Sequence, residues 1–129
     1  MKKLIFIIAS AITFLNFSFS ENALKVGALY LDTAGFFGEI KYGIEKAGEE
    51  EGIELTGANS QSDVAREAEF IDTLLATGVD VVIMSPVSTE SSVAAVERLA
   101  EAGVPVVCYN TCLNDCLLYT SDAADESRG

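Results

Sequence analysis

Histidine is missing from the 129-residue sequence, and with it the usual acid–base group of neutral pH and the commonest ligand of transition metals. No metal, no cofactor and no catalytic residue is therefore expected, and an enzyme is disfavoured. Cationic residues are also scarce: 8 Lys and Arg stand against 20 Asp and Glu, a net charge of −12. So acidic a chain repels phosphate backbones and anionic lipid, which excludes nucleic acid and charged membrane surfaces as partners. The acidic side chains, including the run Glu49, Glu50, Glu51, fall mostly on helix faces opposite apolar stripes and read as a solvated surface.

A long apolar run is lacking as well. The stretch Leu4 to Leu15 is short for a hydrocarbon core of ~30 Å. Lys2 and Lys3 precede it and small residues ending at Ser20 follow it, the three-part layout of a secretory signal. Residues 1–20 are expected to be cleaved, leaving no stable membrane insertion and a periplasmic, cell-envelope product. No cysteine follows the run closely, which disfavours a lipid anchor.

At the other end, residues 116–126, Cys-Leu-Leu-Tyr-Thr-Ser-Asp-Ala-Ala-Asp-Glu, resemble the in-frame translation of the transposon-end adapter used in short-read library preparation. Residues 116–129 are accordingly expected to be a non-native tail, and residues 21–115 an incomplete folding unit. Cys108 and Cys112 lie four apart, ~13 Å if extended, too far for a disulfide. Only a tight turn after Tyr109 could join them, so partly buried thiols are expected ahead of a bridge.

Between the two ends, short β-branched runs alternate with segments of helical period. Strands are expected at Lys25–Leu31, Ile53–Ala58, Val79–Met84 and Val104–Tyr109. The helices between them carry inward stripes of Phe37, Ile40, Ile44 and Ala47, then Val64, Ala68, Ile71 and Leu75, then Val93, Val96 and Ala100. Gly52, Gly78 and Gly103 close the helices; Asp63 caps the second, and Ser88 or Thr89 the third. The order βαβαβαβ predicts an α/β fold, a doubly wound, Rossmann-like parallel sheet with helices on both faces.

In such sheets a ligand sits beyond the carboxyl ends of the strands. Here those ends are rich in hydroxyls, amides and aromatic rings and poor in catalytic pairs, the mixture suited to a sugar or polyol. Phe36 is expected to point into the cleft. Phe37 shares a stripe with Ile40 and Ile44 and is either core or contact. Asp32 either accepts hydrogen bonds from ligand hydroxyls or only shapes the turn before Gly35. Tyr30 is expected to bury its ring while its hydroxyl reaches the cleft, and Asn110 to meet ligand at the end of the fourth strand. Ser60, Gln61, Ser85 and Ser88 are rim candidates that turn formation explains equally well.

Tyr30-Leu-Asp-Thr-Ala-Gly-Phe-Phe37, Ala58-Asn-Ser-Gln-Ser62, Ser85-Pro86 and Val104-Pro-Val-Val-Cys-Tyr-Asn-Thr-Cys112, in this order after a signal-like leader, resemble the periplasmic sugar-binding proteins of ABC transporters, the ribose- and galactose-binding type. The resemblance spans Lys25 to Asp115. It implies the N-terminal lobe of a type I periplasmic binding protein, with a second lobe closing over the ligand and a membrane permease as partner. It also implies that Phe36 and Phe37 stack on the sugar. Asn110 and Thr111 stand where the family has an Asp–Arg pair, and an amide and a hydroxyl cannot reproduce that pair's charge-assisted contacts; the ligand implied is a sugar or polyol other than ribose.

Rival functions fare worse. Gly35 and Gly38 do not make the GxGxxG turn of a nucleotide-binding enzyme, and Met84-Ser85-Pro86 lacks the aspartate of a phosphoacceptor domain. An exported ligand sensor feeding a receptor is the alternative that the leader allows.

Overall fold

In the computed structural model, which describes residues 22–113, the buried run Lys25–Tyr30 forms a central strand, β1, because it has neighbours on both edges. The elements that follow are α1 (Gly35–Glu50), β2 (Glu54–Asn59), α2 (Val64–Thr77), β3 (Val81–Met84), α3 (Val93–Glu101) and β4 (Val106–Cys108). All strand pairs are parallel, in the order β2-β1-β3-β4, so the doubly wound α/β fold is present. The leader (residues 1–20) and the adapter-like tail (residues 116–129) lie outside the described residues.

Side chains alternate across a strand, and the two faces of the sheet differ accordingly. Leu29, Val82, Met84 and Val106 join Ile71 and Leu74 of α2 and Ala95, Val96 and Leu99 of α3 in one buried cluster. Ala28 and Tyr30 face the other way, towards α1, whose Lys41 Nζ lies 5.8 Å from the centre of the Tyr30 ring. Helix α1 packs on β1 and β2, and Val107, on the same face of β4, is 51% exposed.

The strands begin later than the hydrophobic runs that announce them, and the helix ends explain why. Gly52, Gly78 and Gly103 have φ of 67°, 70° and 74°, the left-handed region that glycine enters without a Cβ penalty. The residue after each glycine donates back into the helix: Ile53 to Gly48 O at 2.8 Å, Val79 to Leu74 O at 3.4 Å and Val104 to Leu99 O at 2.8 Å. This is the six-to-one bond of a Schellman motif. Ile53, Val79 and Val104 therefore close helices instead of opening strands, which start at Glu54, Val81 and Val106.

Two further expectations shift. Ala47 is exposed, and Gly48 is the buried residue of α1; a Cβ at Gly48 would meet Leu55 at 3.7 Å, so the helix approaches β2 through its smallest residue. Ser88 does cap, but the turn before α3 and not the helix itself: its Oγ accepts from the N–H groups of Glu90 (3.3 Å) and Ser91 (3.0 Å).

Asp63 caps α2 as the sequence predicts, accepting from Ala65 N–H at 2.8 Å and Arg66 N–H at 3.2 Å. Replacing it with alanine leaves these donors without their acceptor and should cost about 1 kcal/mol. A lower urea midpoint at unchanged slope would show it.

Candidate functional site

Because the strands are parallel, all their carboxyl ends share one edge. The sheet order reverses at β1, whose neighbours are β2 on one side and β3 on the other. A crevice opens at such a switch point, between the loops that leave β1 and β3 for opposite faces. Residues 31–34 and 85–92 are those loops, with the β2–α2 loop (60–63) on one flank and residues 109–113 after β4 on the other.

Phe36 stands at the start of α1 with 65% of its surface exposed. Phe37 is half-buried, and its ring meets that of Phe36 edge-on, with centroids 5.4 Å apart at 72°. What sets Phe36 apart from Tyr42, which is 64% exposed further along α1, is its place at the carboxyl edge of the sheet, directly after the loop that leaves β1. Asp32 is half-buried, and its Oδ1 accepts from Thr33 N–H at 2.6 Å, leaving Oδ2 for another donor. Asn110 is exposed, with φ of 62°, a conformation asparagine tolerates better than most residues. Its Nδ2 donates to Oγ1 of half-buried Thr111 at 3.3 Å, and Thr111 N–H donates to Tyr109 O at 2.7 Å, so the two candidates after β4 are held as a pair.

Tyr30 lies deeper than the others. Only 1% of it is exposed, and its ring covers Gly57 of β2 so closely that a Cβ there would stand 3.0 Å from Cε2. Its hydroxyl has no hydrogen-bond partner among the described residues. Burial, with the Glu45 carboxylate and Tyr109 adding to it, pushes the phenol from 10.0 up to about 12. The stabilisation from keeping Tyr30 neutral is present below pH 10 and is lost as pH rises through about 12. Alkaline ultraviolet titration of the protein against its Tyr30→Phe variant should show the difference ionising near the upper value; ionisation at the ordinary value would contradict this placement.

The β2–α2 loop is tied to the β1 end. Ser60 is fully buried, and its Oγ donates to Tyr30 O at 3.2 Å and Leu31 O at 3.4 Å. Ser62 N–H donates to Leu31 O at 3.0 Å, and Asn59 Nδ2 to Thr33 Oγ1 at 3.3 Å. Gln61 and Ser62 both have positive φ, 53° and 58°, and Asp63 N–H closes on Ser60 O at 3.0 Å, the pattern of a type I′ turn. Ser60 therefore joins loops, and Gln61 accepts from Arg66 Nη1.

Two residues escaped the sequence reading. Tyr109 is half-buried at the end of β4; burial raises its phenol, while a hydrogen bond with the Leu31 backbone pulls the other way. Alternation puts it on the Tyr30 face, which was legible. Glu67 is fully buried, against the expectation of a solvated acidic surface; its position four before Ile71 and seven before Leu74 was the available signal. Cys112 is free and exposed, while Cys108 packs half-buried against the core. Among the described residues no cluster of acidic or thiol side chains could hold a metal ion, and no helix is long and apolar enough to cross a membrane.

Against known proteins, the family model described as "Periplasmic binding protein domain" matches residues 28–124. An ABC transporter periplasmic-binding protein of Escherichia coli is 41% identical over 97 residues, 74% of this chain and 30% of the relative. A ribose import binding protein of Bacillus subtilis is 29% identical over 94 residues, 73% of this chain and 31% of the relative. The chain thus spans about a third of the length of these relatives. A solute-binding protein structure from Bacillus halodurans with bound myo-inositol superposes with a TM-score of 0.66 at 20% identity, over 71% of this chain and 32% of that one.

Proposed function

The chain belongs to the periplasmic binding protein domain family, and from that premise we propose that it captures a neutral sugar or polyol in the periplasm for uptake through an ABC-transporter permease. It acts as one lobe of a two-lobed clamp, with no catalytic step and no cofactor. The observation that carries the reading is Phe36, an aromatic ring 65% exposed at the switch point of the sheet, where a sugar ring stacks on an aromatic face. Phe37 supports that ring, Asp32 accepts from ligand hydroxyls, and Asn110 with Thr111 offers an amide and a hydroxyl from the far side. Tyr30, whose hydroxyl was expected to reach the cleft, is instead sealed under α1 and supports the β1 end without meeting ligand. The names of relatives agree in substrate class: one imports ribose, and one solved structure holds myo-inositol.

Thermal-shift screening of the protein against sugars and polyols, with nucleotides as the contrasting set, tests this. Ligand that binds only the folded state raises the midpoint, so a shift with at least one sugar or polyol is expected. No shift with any of them beside a clear shift with a nucleotide would overturn the assignment.

A further inference from the structure

Glu67 is a charged residue with no surface exposed, on the first turn of α2, and the binding function above does not use it. Buried carboxylates are rare unless their oxygens are engaged. Its Oε2 accepts from Val87 N–H at 2.8 Å, while its Oε1 has no partner among the described residues. Val87 follows the buried Pro86 in the loop after β3, and proline offers no N–H of its own. The Glu67 bond fastens this stretch to α2, two residues beyond the bond from Ser85 N–H to Leu29 O of β1 at 3.4 Å.

The same turn of α2 is fastened on its other side. Glu67 N–H donates to Asp63 O at 3.0 Å, Asp63 N–H closes the type I′ turn on Ser60 O, and Ser60 and Ser62 grip the carbonyls of Tyr30 and Leu31. Beyond Val87, Ser88 N–H donates to the buried Ser92 Oγ at 3.1 Å, and Ser88 Oγ receives Glu90 and Ser91 N–H. A continuous run of hydrogen bonds thus leads from the β1 loop through the β2 loop and the α2 turn to the β3 loop.

We propose that Glu67 is a positioning residue: its buried carboxylate locks the β3–α3 loop to the first turn of α2, so that the three loops around the switch point move as one unit. Glu67 does not touch the ligand; it acts through Val87 and the loop behind it. This role rests on the proposed binding site for its purpose but not for its test.

Amide hydrogen exchange on the full chain decides the matter. In the wild type, Val87 N–H should be protected; exchange at the rate of an unstructured peptide would overturn the proposal outright. In Glu67→Leu, which keeps the volume and removes the acceptor, residues 87–91 should exchange about tenfold faster or more, while the core amides of Leu29 and Val82 change far less. Glu67→Gln, which keeps an acceptor oxygen, should restore protection at Val87. A uniform rise across core and loop, or unchanged exchange at Val87, would reduce Glu67 to a packing residue and overturn the proposal. If Glu67→Leu does not fold, the wild-type protection and the rescue by glutamine decide. Affinity for the sugar or polyol found by thermal shift, measured on the same variants, should fall with leucine and recover with glutamine. A wild type that binds no sugar or polyol refutes the binding function alone, since the exchange results stand apart from it.

Discussion

Truncating Leu29 to alanine should leave a substantial fraction of the protein unfolded at room temperature. Leu29 is fully buried near the C-terminal end of β1 and belongs to one buried cluster with Ile71, Leu74, Val82 and Met84. Removing a buried leucine side chain costs about 2–5 kcal/mol through lost transfer energy plus the cavity left behind. A sheet of four strands with one face incompletely covered, as the 51% exposure of Val107 shows, has little margin to absorb that loss. Urea unfolding followed by circular dichroism measures it. A loss below about 1 kcal/mol would mean that the core around β1 is looser than its burial indicates.

Phe36→Ala should do the reverse, abolishing most of the affinity for a sugar or polyol while leaving stability near the wild-type value. The ring is 65% exposed, so the folded protein loses little packing when it goes. Burying a phenylalanine side chain against a ligand contributes roughly 1.5–3 kcal/mol, so the dissociation constant should rise about ten- to a hundredfold. Calorimetric titration of both proteins, with thermal midpoints measured alongside, checks the two halves together. Unchanged affinity with a much lower midpoint would assign Phe36 to packing and remove the main support for the binding site.

The sheet was legible in the sequence because its signals are local. Short β-branched runs alternating with segments of helical period located every strand and helix, and glycine after each helical stripe marked the ends. What escaped was how those glycines work: the Schellman bonds made by Ile53, Val79 and Val104 spend the first apolar residue of each run on helix closure, which composition does not reveal. The candidate site was legible in location, since parallel strands put Phe36, Asp32, Asn110 and Thr111 on one edge. Depth was not. Tyr30 projects towards α1 and is sealed by it, because its ring lies back over Gly57 and not outward, a choice set by a neighbouring strand. For Glu67 the inward position was legible from its spacing to Ile71 and Leu74, but its partner was not, since the Val87 N–H comes from a loop twenty residues away.

The central claim is that the carboxyl edge of this sheet receives a neutral polyhydroxylated ligand. Titrating isotope-labelled protein with the sugar or polyol that gives the largest thermal shift, and following backbone amide resonances, tests it most directly. The shifted amides should cluster in residues 31–37, 59–63, 85–91 and 109–112. Shifts centred instead on the opposite edge, around Asn22, Gly52 and Gly78, or no shift at the carboxyl edge at saturating ligand, would contradict it.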